Sequence, residues 1–126
     1  MARRRALPAH LSVRSNDPSV LILTSLVSGS KHGWALTKDI EEFSGVALGP
    51  GTLYGAITRL EERGLIEPLP VEDRRRPYRI SANGRAALTE AVREMRTLAD
   101  TGERRLGLRT LARSVGGGSR VLGSMP

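Results

Sequence analysis

The chain has 126 residues, 39% of them hydrophobic and 3% aromatic, with no cysteine and a formal net charge of +7. That length and apolar content give one modest core with tails rather than two domains. The lack of cysteine excludes disulfides, thiol catalysis and thiolate metal sites, and the histidines, His10 and His32, are too isolated to hold a metal.

Residues 1–16 are basic, with Arg3, Arg4, Arg5 and Arg14, and lack a sustained apolar period. They read as a flexible arm, which beside a duplex would add salt-sensitive affinity. Asp17 and Pro18 then supply a helix cap and a first helical residue, and Val20, Leu21, Leu23, Leu26 and Val27 make this the central core helix. Ser28 to Ser30 end it, and Lys31, His32 and Gly33 form a turn. Trp34, Ile40 and Phe43 suggest a second helix from about Trp34 to Phe43, with Lys38, Asp39, Glu41 and Glu42 on its polar side. Trp34, the single tryptophan, is expected to be buried between these two helices, where so large a ring would dominate a small core. His32 and Trp34 are both read as structural.

Gly45 to Leu48 connect to a third helix, which starts at Pro50 with Gly49 as a weak cap. Leu53, Ile57 and Leu60 recur at i, i+4 and i+7 and form its buried stripe. The opposite arc carries Thr52, Gly55, Thr58, Arg59 and Glu62, with Tyr54 to one side. Its first turn is small because of Gly51, so little would block a phosphate or a base edge. Gly64 stands where a left-handed residue ends a helix. Leu65 and Ile66 open an extended segment that Pro68 and Pro70 restrict to a sheet edge, Glu72 to Arg76 make a charged tip, and Tyr78 to Ile80 return as a second strand.

The order helix, helix, helix, strand, strand predicts a mainly α fold with a small β-hairpin: a winged helix-turn-helix over residues 17–81. Ser81 should cap a fourth helix over residues 82–106, in which Gly84 and Gly102 weaken the ends. Its apolar residues exceed what one face of a small domain can hide, so Leu88, Val92, Met95 and Leu98 should include both core and dimer-interface positions. Residues 107–126 gain glycine, lose periodicity and read as a flexible basic tail, with a short helix over residues 106–115 as the alternative.

Charge location matters more than its total. Residues 17–106 carry 13 Lys and Arg against 13 Asp and Glu, so the surplus lies in the tails. The one dense basic cluster inside the domain is Arg74, Arg75, Arg76 and Arg79. No apolar run approaches the roughly 18 residues of a membrane span, and the first residues lack the long apolar region of a signal peptide. The expectation is a soluble, cytoplasmic protein without cofactor, and no set of base, nucleophile and oxyanion donors suggests an enzyme.

The stretches HGWAL (His32 to Leu36), PGTLYGAITRLEERGLI (Pro50 to Ile66), RRPYRIS (Arg75 to Ser81) and NGR (Asn83 to Arg85) together resemble the PadR-like winged-helix transcriptional regulators of bacteria. The resemblance covers about residues 17–106. It implies a DNA-binding winged helix that dimerises through its C-terminal helix and usually represses transcription. Trp34 replaces the family's usual tyrosine, and Gly49 a frequent serine cap. Met95 and Leu98 lie where many members carry a tryptophan, so an aromatic ligand-stacking pocket is not implied.

Matched by position, Pro50, Gly51, Thr52, Tyr54, Thr58 and Arg59 are the candidate groove-contacting residues of the third helix. Arg74, Arg75 and Arg76 are the candidate wing contacts, since arginine is favoured in a narrow minor groove. Lys31 and Lys38 are candidates for the DNA backbone. The expected partners are double-stranded DNA and a second copy of the chain. A small-molecule effector, if the chain takes one, would sit between the DNA-binding domain and helix four or across the dimer, though no polar constellation names it. The rival reading is a winged-helix protein-interaction module, which the neutral domain and acidic Glu41, Glu42, Glu61 and Glu62 would suit.

Overall fold

The computed structural model describes residue 11 and residues 16–108. The elements are α1 (Pro18–Val27), α2 (Gly33–Ser44), α3 (Pro50–Glu62), β1 (Ile66–Pro68), β2 (Tyr78–Ile80) and α4 (Ala82–Leu106). This is the mainly α arrangement with one hairpin that the order of sequence signals predicts. The chain divides into two compact units at Val92, inside α4.

In the first unit, α1 starts where Asp17 accepts from the backbone N–H groups of Ser19 (2.8 Å) and Val20 (3.4 Å), which satisfies donors a helix start leaves without partners. Val20, Leu21, Ile22, Leu23 and Leu26 are buried, and α1 packs on α2, α3 and β2. Each such side chain contributes about 1.5–3 kcal/mol through area removed from water. The α3 stripe of Leu53, Ile57 and Leu60 is buried as expected, joined by Ala56, while α2 contributes Leu36 and Ile40. Leu11, assigned to the basic arm, is also buried.

Gly64 takes the left-handed φ of 74° that ends α3. The hairpin pairs Ile66 with Ile80, Glu67 with Arg79 and Pro68 with Tyr78. Its tip closes through reciprocal backbone bonds of 2.8 Å between Glu72 and Arg75, around Asp73 (φ 49°) and Arg74 (φ 65°). Positive φ at both central residues is what a tight two-residue hairpin of matching twist requires. A third strand-like pairing has no local signal in the chain: the backbone of Lys31 exchanges bonds of 3.1 and 3.0 Å with Tyr78, which ties the turn before α2 to β2.

Two packing expectations are corrected. Trp34 is not buried but 62% exposed. The helical period explains the first: Gly33, Leu36 and Ile40 form the inward stripe of α2, whereas Trp34 shares its face with Lys38 and Glu41. The Lys38 ammonium lies 5.2 Å from the Trp34 ring centroid, a cation–π arrangement at the surface. Gly84, read as a weak point of α4, is a packing requirement, because a Cβ there would collide with the backbone carbonyl of Leu65 and with Ile80.

Ser81 caps α4 as expected: its Oγ accepts from Gly84 N–H (3.0 Å) and donates to the Gly64 carbonyl (2.6 Å). Ala87, Leu88 and Ala91 are buried and Val92 is exposed. In the second unit, α4 carries Met95, half-buried, and Leu98 and Leu106, both exposed, before Gly107 ends the helix. The rest of the N-terminal arm and the tail from residue 109, with the alternative helix over 106–115 beyond its first residues, lie outside the described residues. Among the described residues no helix is long and apolar enough to cross a membrane, and no cluster of His, Asp or Glu could hold a metal ion.

Candidate nucleic-acid interface

The outer arc of α3 is small and open. Pro50, Gly51, Thr52, Tyr54, Thr58 and Arg59 are all exposed, while the residues between them supply the core. Pro50 at the first helical position fixes where the arc starts. Thr58 donates its hydroxyl to the Tyr54 carbonyl at 2.9 Å, so its donor is engaged within the helix while the residue stays exposed.

Tyr54 is half exposed, and its position is set by Gly33. A Cβ on Gly33 would overlap the Tyr54 hydroxyl, so the glycine at the start of α2 is what lets the phenol lie against that helix. Trp34, Tyr54 and Tyr78, together with His32, Gly33 and Arg74 to Arg76, line a groove of about 230 Å³ between α2, α3 and the wing. A second, more apolar hollow of about 320 Å³ runs on from it past Trp34 and Tyr54 to Thr37, Leu48, Pro50 and Leu53. Burial, reinforced by the carboxylate of Glu61 and by Tyr54, raises the Tyr78 phenol above its ordinary value, while Arg76 pulls in the opposite direction.

The wing arginines differ from the fourth member of the basic cluster. Arg79 pairs with Glu67 across the hairpin at 2.8 Å, so its guanidinium is engaged by a carboxylate of the wing itself. Arg74, Arg75 and Arg76 are exposed and, among the described residues, make no salt bridge. Arg76 Nη1 donates to the Leu69 carbonyl (2.8 Å), and Arg75 Nη1 lies 3.3 Å from His32 Nε2. Three guanidinium groups without a carboxylate partner among the described residues thus stand on the same groove as Tyr54 of the α3 arc.

Of the two candidate lysines, Lys38 sits over Trp34, a residue of the groove wall. Lys31 is held inward. Its Nζ donates to the carbonyls of Ser25 (2.6 Å) and Gly29 (3.3 Å) and to Ser28 Oγ (2.9 Å), and lies 3.9 Å from Asp39. A lysine closing the free carbonyls at a helix end is a stabilising device. Asp39 also accepts from Ser25, the one buried polar residue of the described core (2.6 Å). The wing-to-α2 contact of Arg75 with His32 had no signal in the sequence beyond the charge run itself, since it joins residues 43 positions apart.

The model of the PadR-like family of transcriptional regulators matches residues 22–90. The chain belongs to that family. It is 42% identical over 86 residues to an uncharacterized 37.1 kDa transposon protein of Streptomyces fradiae, a match that covers 68% of this chain but only 25% of the relative, so the chain spans a quarter of that protein's length. It is also 42% identical over 81 residues to a transcriptional regulator of Mycobacterium tuberculosis, covering 62% of this chain and 75% of that one. Among solved structures, a transcriptional regulator from Clostridium thermocellum is similar with a TM-score of 0.62 and 27% identity, over 69% of this chain and 87% of that chain. A PadR family regulator from Clostridium difficile shares the fold, with a TM-score of 0.64 and 24% identity, over 71% of this PadR-like chain and 97% of that one.

Proposed function

We propose that this PadR-like chain is a homodimeric repressor that reads a pseudo-palindromic operator, with α3 in the major groove of each half-site and the wing along the adjacent minor groove. The observation that carries the reading is the pairing of a small, exposed arc (Gly51, Thr52, Thr58, Arg59) with three wing arginines that have no carboxylate partner among the described residues. A protein surface built for solubility alone tends to intersperse both signs of charge. Here Glu67 is already taken by Arg79, and Glu72 and Asp73, although next to Arg74 at the tip, make no salt bridge with Arg74, Arg75 or Arg76 among the described residues. Lys31 is not part of the proposed interface, because its ammonium is engaged within the domain.

The dimer reading rests on α4. Leu98 and Leu106 are 67% and 74% exposed, large apolar side chains left open to solvent, and Val92 is exposed on the same helix. A second copy of α4 is the natural cover, and two recognition helices related by such a dimer would fall about one helical turn of DNA apart. Leu88 belongs to the core of the first unit instead. Bound across a promoter, such a dimer would exclude polymerase.

Replacing Arg74, Arg75 and Arg76 together by alanine tests the DNA reading. Affinity for a duplex selected from a random pool should fall steeply, and the slope of log affinity against log salt should shrink by up to ~2.7, about 0.9 for each phosphate no longer neutralised. An unchanged slope would mean that the wing faces a protein instead. Mass in solution tests the dimer: a clean monomer at micromolar concentration that still bound the selected duplex tightly would overturn it.

A further inference from the structure

His32 is placed between two hydrogen-bond donors. Its Nδ1 accepts from the backbone N–H of Ala35 at 3.5 Å, the cap that starts α2. Its Nε2 faces Arg75 Nη1 at 3.3 Å. Arginine only donates, and a neutral imidazole that accepts at Nδ1 carries its proton at Nε2. The ring therefore cannot accept on both sides. In the tautomer that keeps the cap, Nε2–H and the guanidinium of Arg75 are two donors facing each other. In the other, Nε2 accepts from Arg75 and the 3.5 Å cap is given up, so the free ring satisfies one side only.

The surroundings state what would resolve that clash. The pair lies on the wall of the groove lined by Trp34, Tyr54, Arg74, Arg76 and Tyr78, beside arginines that have no carboxylate partner among the described residues. One oxygen of a phosphodiester, accepting from His32 Nε2–H and from Arg75 together, satisfies both donors and neutralises the guanidinium. Charge-assisted bonds of this kind are roughly twice as strong as neutral ones. To admit it, the two nitrogens must move apart from their 3.3 Å separation, with the wing tip turning away from α2.

We propose that His32 and Arg75 form a clamp for a single backbone phosphate of duplex DNA, so that the residue that caps α2 also fixes the position of the wing on the duplex. This rests on the DNA-binding reading of the preceding section. It gives His32 a binding role that its place in the turn before α2 did not suggest.

The test keeps the cap and removes the donor. His32→Ser retains a good N-cap side chain, so α2 should still form, but cannot reach the wing. Each phosphate of a duplex selected from a random pool is replaced in turn by a neutral methylphosphonate. With wild-type protein, one position per half-site should cost about tenfold in affinity, as expected when a charge-assisted bond is removed. That same position should become nearly silent with His32→Ser and with Arg75→Ala, and the double variant should be no weaker than the weaker single one. Circular dichroism and the thermal midpoint of His32→Ser should match wild type.

A scan that stays sensitive at that position in His32→Ser overturns the clamp while leaving DNA binding intact. A scan flat at every position near the wing, with free inorganic phosphate still perturbing the His32 ring resonances, overturns it in favour of a small-anion site. A wild-type protein that selects no duplex at all overturns the clamp and the DNA reading together.

Discussion

Gly84, where α4 begins, and Gly33, where α2 begins, each leave space that a Cβ would fill, but the occupants of that space differ. Against Gly84 lie the backbone carbonyl of Leu65 and the buried side chain of Ile80. Against Gly33 lies the ring of Tyr54, a side chain open to solvent on its other side. The first junction joins a helix to the base of the wing through groups that cannot move without carrying the core with them. The second seats one side chain of the candidate interface. A glycine therefore guards the fold at one place and the site at the other, and substitutions should separate the two.

Gly84→Ala is expected to have the largest effect. The added methyl meets a carbonyl that already accepts from Ser81 N–H at 3.0 Å, so either α4 or the start of the hairpin must shift. Even after the helix-propensity gain of Ala over Gly, a loss of about 2–3 kcal/mol is expected, read from the midpoint of urea unfolding. A neutral outcome would mean that α4 can slide freely at its start, and the contrast between the two glycines would vanish.

Asp17→Ala should be next. It removes the acceptor of the Ser19 N–H from the start of the central helix, on the side of the molecule that holds the fold. The expected loss is about 1 kcal/mol in the same unfolding experiment, with Asp17→Asn or Asp17→Ser restoring most of it.

Gly33→Ala should cost less than about 1 kcal/mol, because the Tyr54 ring can swing into solvent and alanine is the better helix former. Its signature is elsewhere. With Tyr54 displaced, the groove beside Trp34 opens, and the emission of the only tryptophan in the chain should shift. Duplex affinity should drop with fold stability nearly intact. Equal destabilisation by Gly33→Ala and Gly84→Ala would erase the distinction between a junction of the fold and a junction of the site.

The same division governs what is legible in the sequence. The fold is written in local signals: Asp17 and Pro18 at one helix start, Pro50 at another, Gly64 at a left-handed helix end, and Ser81 as a cap. Each acts within a few residues of itself. The open arc of α3 is legible because its period is set by the same buried stripe. Size argues for burial of Trp34, but its spacing to Lys38 and Glu41 assigns it to the outer face, and the spacing wins. Lys31 reads as a free surface cation until the carbonyls of α1 are placed around it. Gly84 and His32 depend on Leu65 and Arg75, residues 19 and 43 positions away, and no local pattern encodes such pairs.

Tyr78 belongs to both regions, so its titration gives the smallest but most pointed test. Its backbone binds Lys31 at the base of the wing, and its phenol lines the groove. Burial first, then Glu61 and Tyr54, raise its pKa above the ordinary 10.0, against the opposing pull of Arg76. The folded chain therefore holds this proton more tightly than the unfolded chain does. The associated stability is complete below pH 10 and is lost as pH rises through the folded value. In Tyr54→Phe, Tyr78 is the only tyrosine left, and its absorbance at alkaline pH should titrate later than in the urea-unfolded protein. Arg76→Ala in that background should delay it further, since the one charge favouring the phenolate is gone. If Arg76→Ala leaves the transition unmoved, the guanidinium does not face the Tyr78 phenol, and the Arg76 side chain is turned toward the Leu69 carbonyl of its own hairpin rather than into the groove.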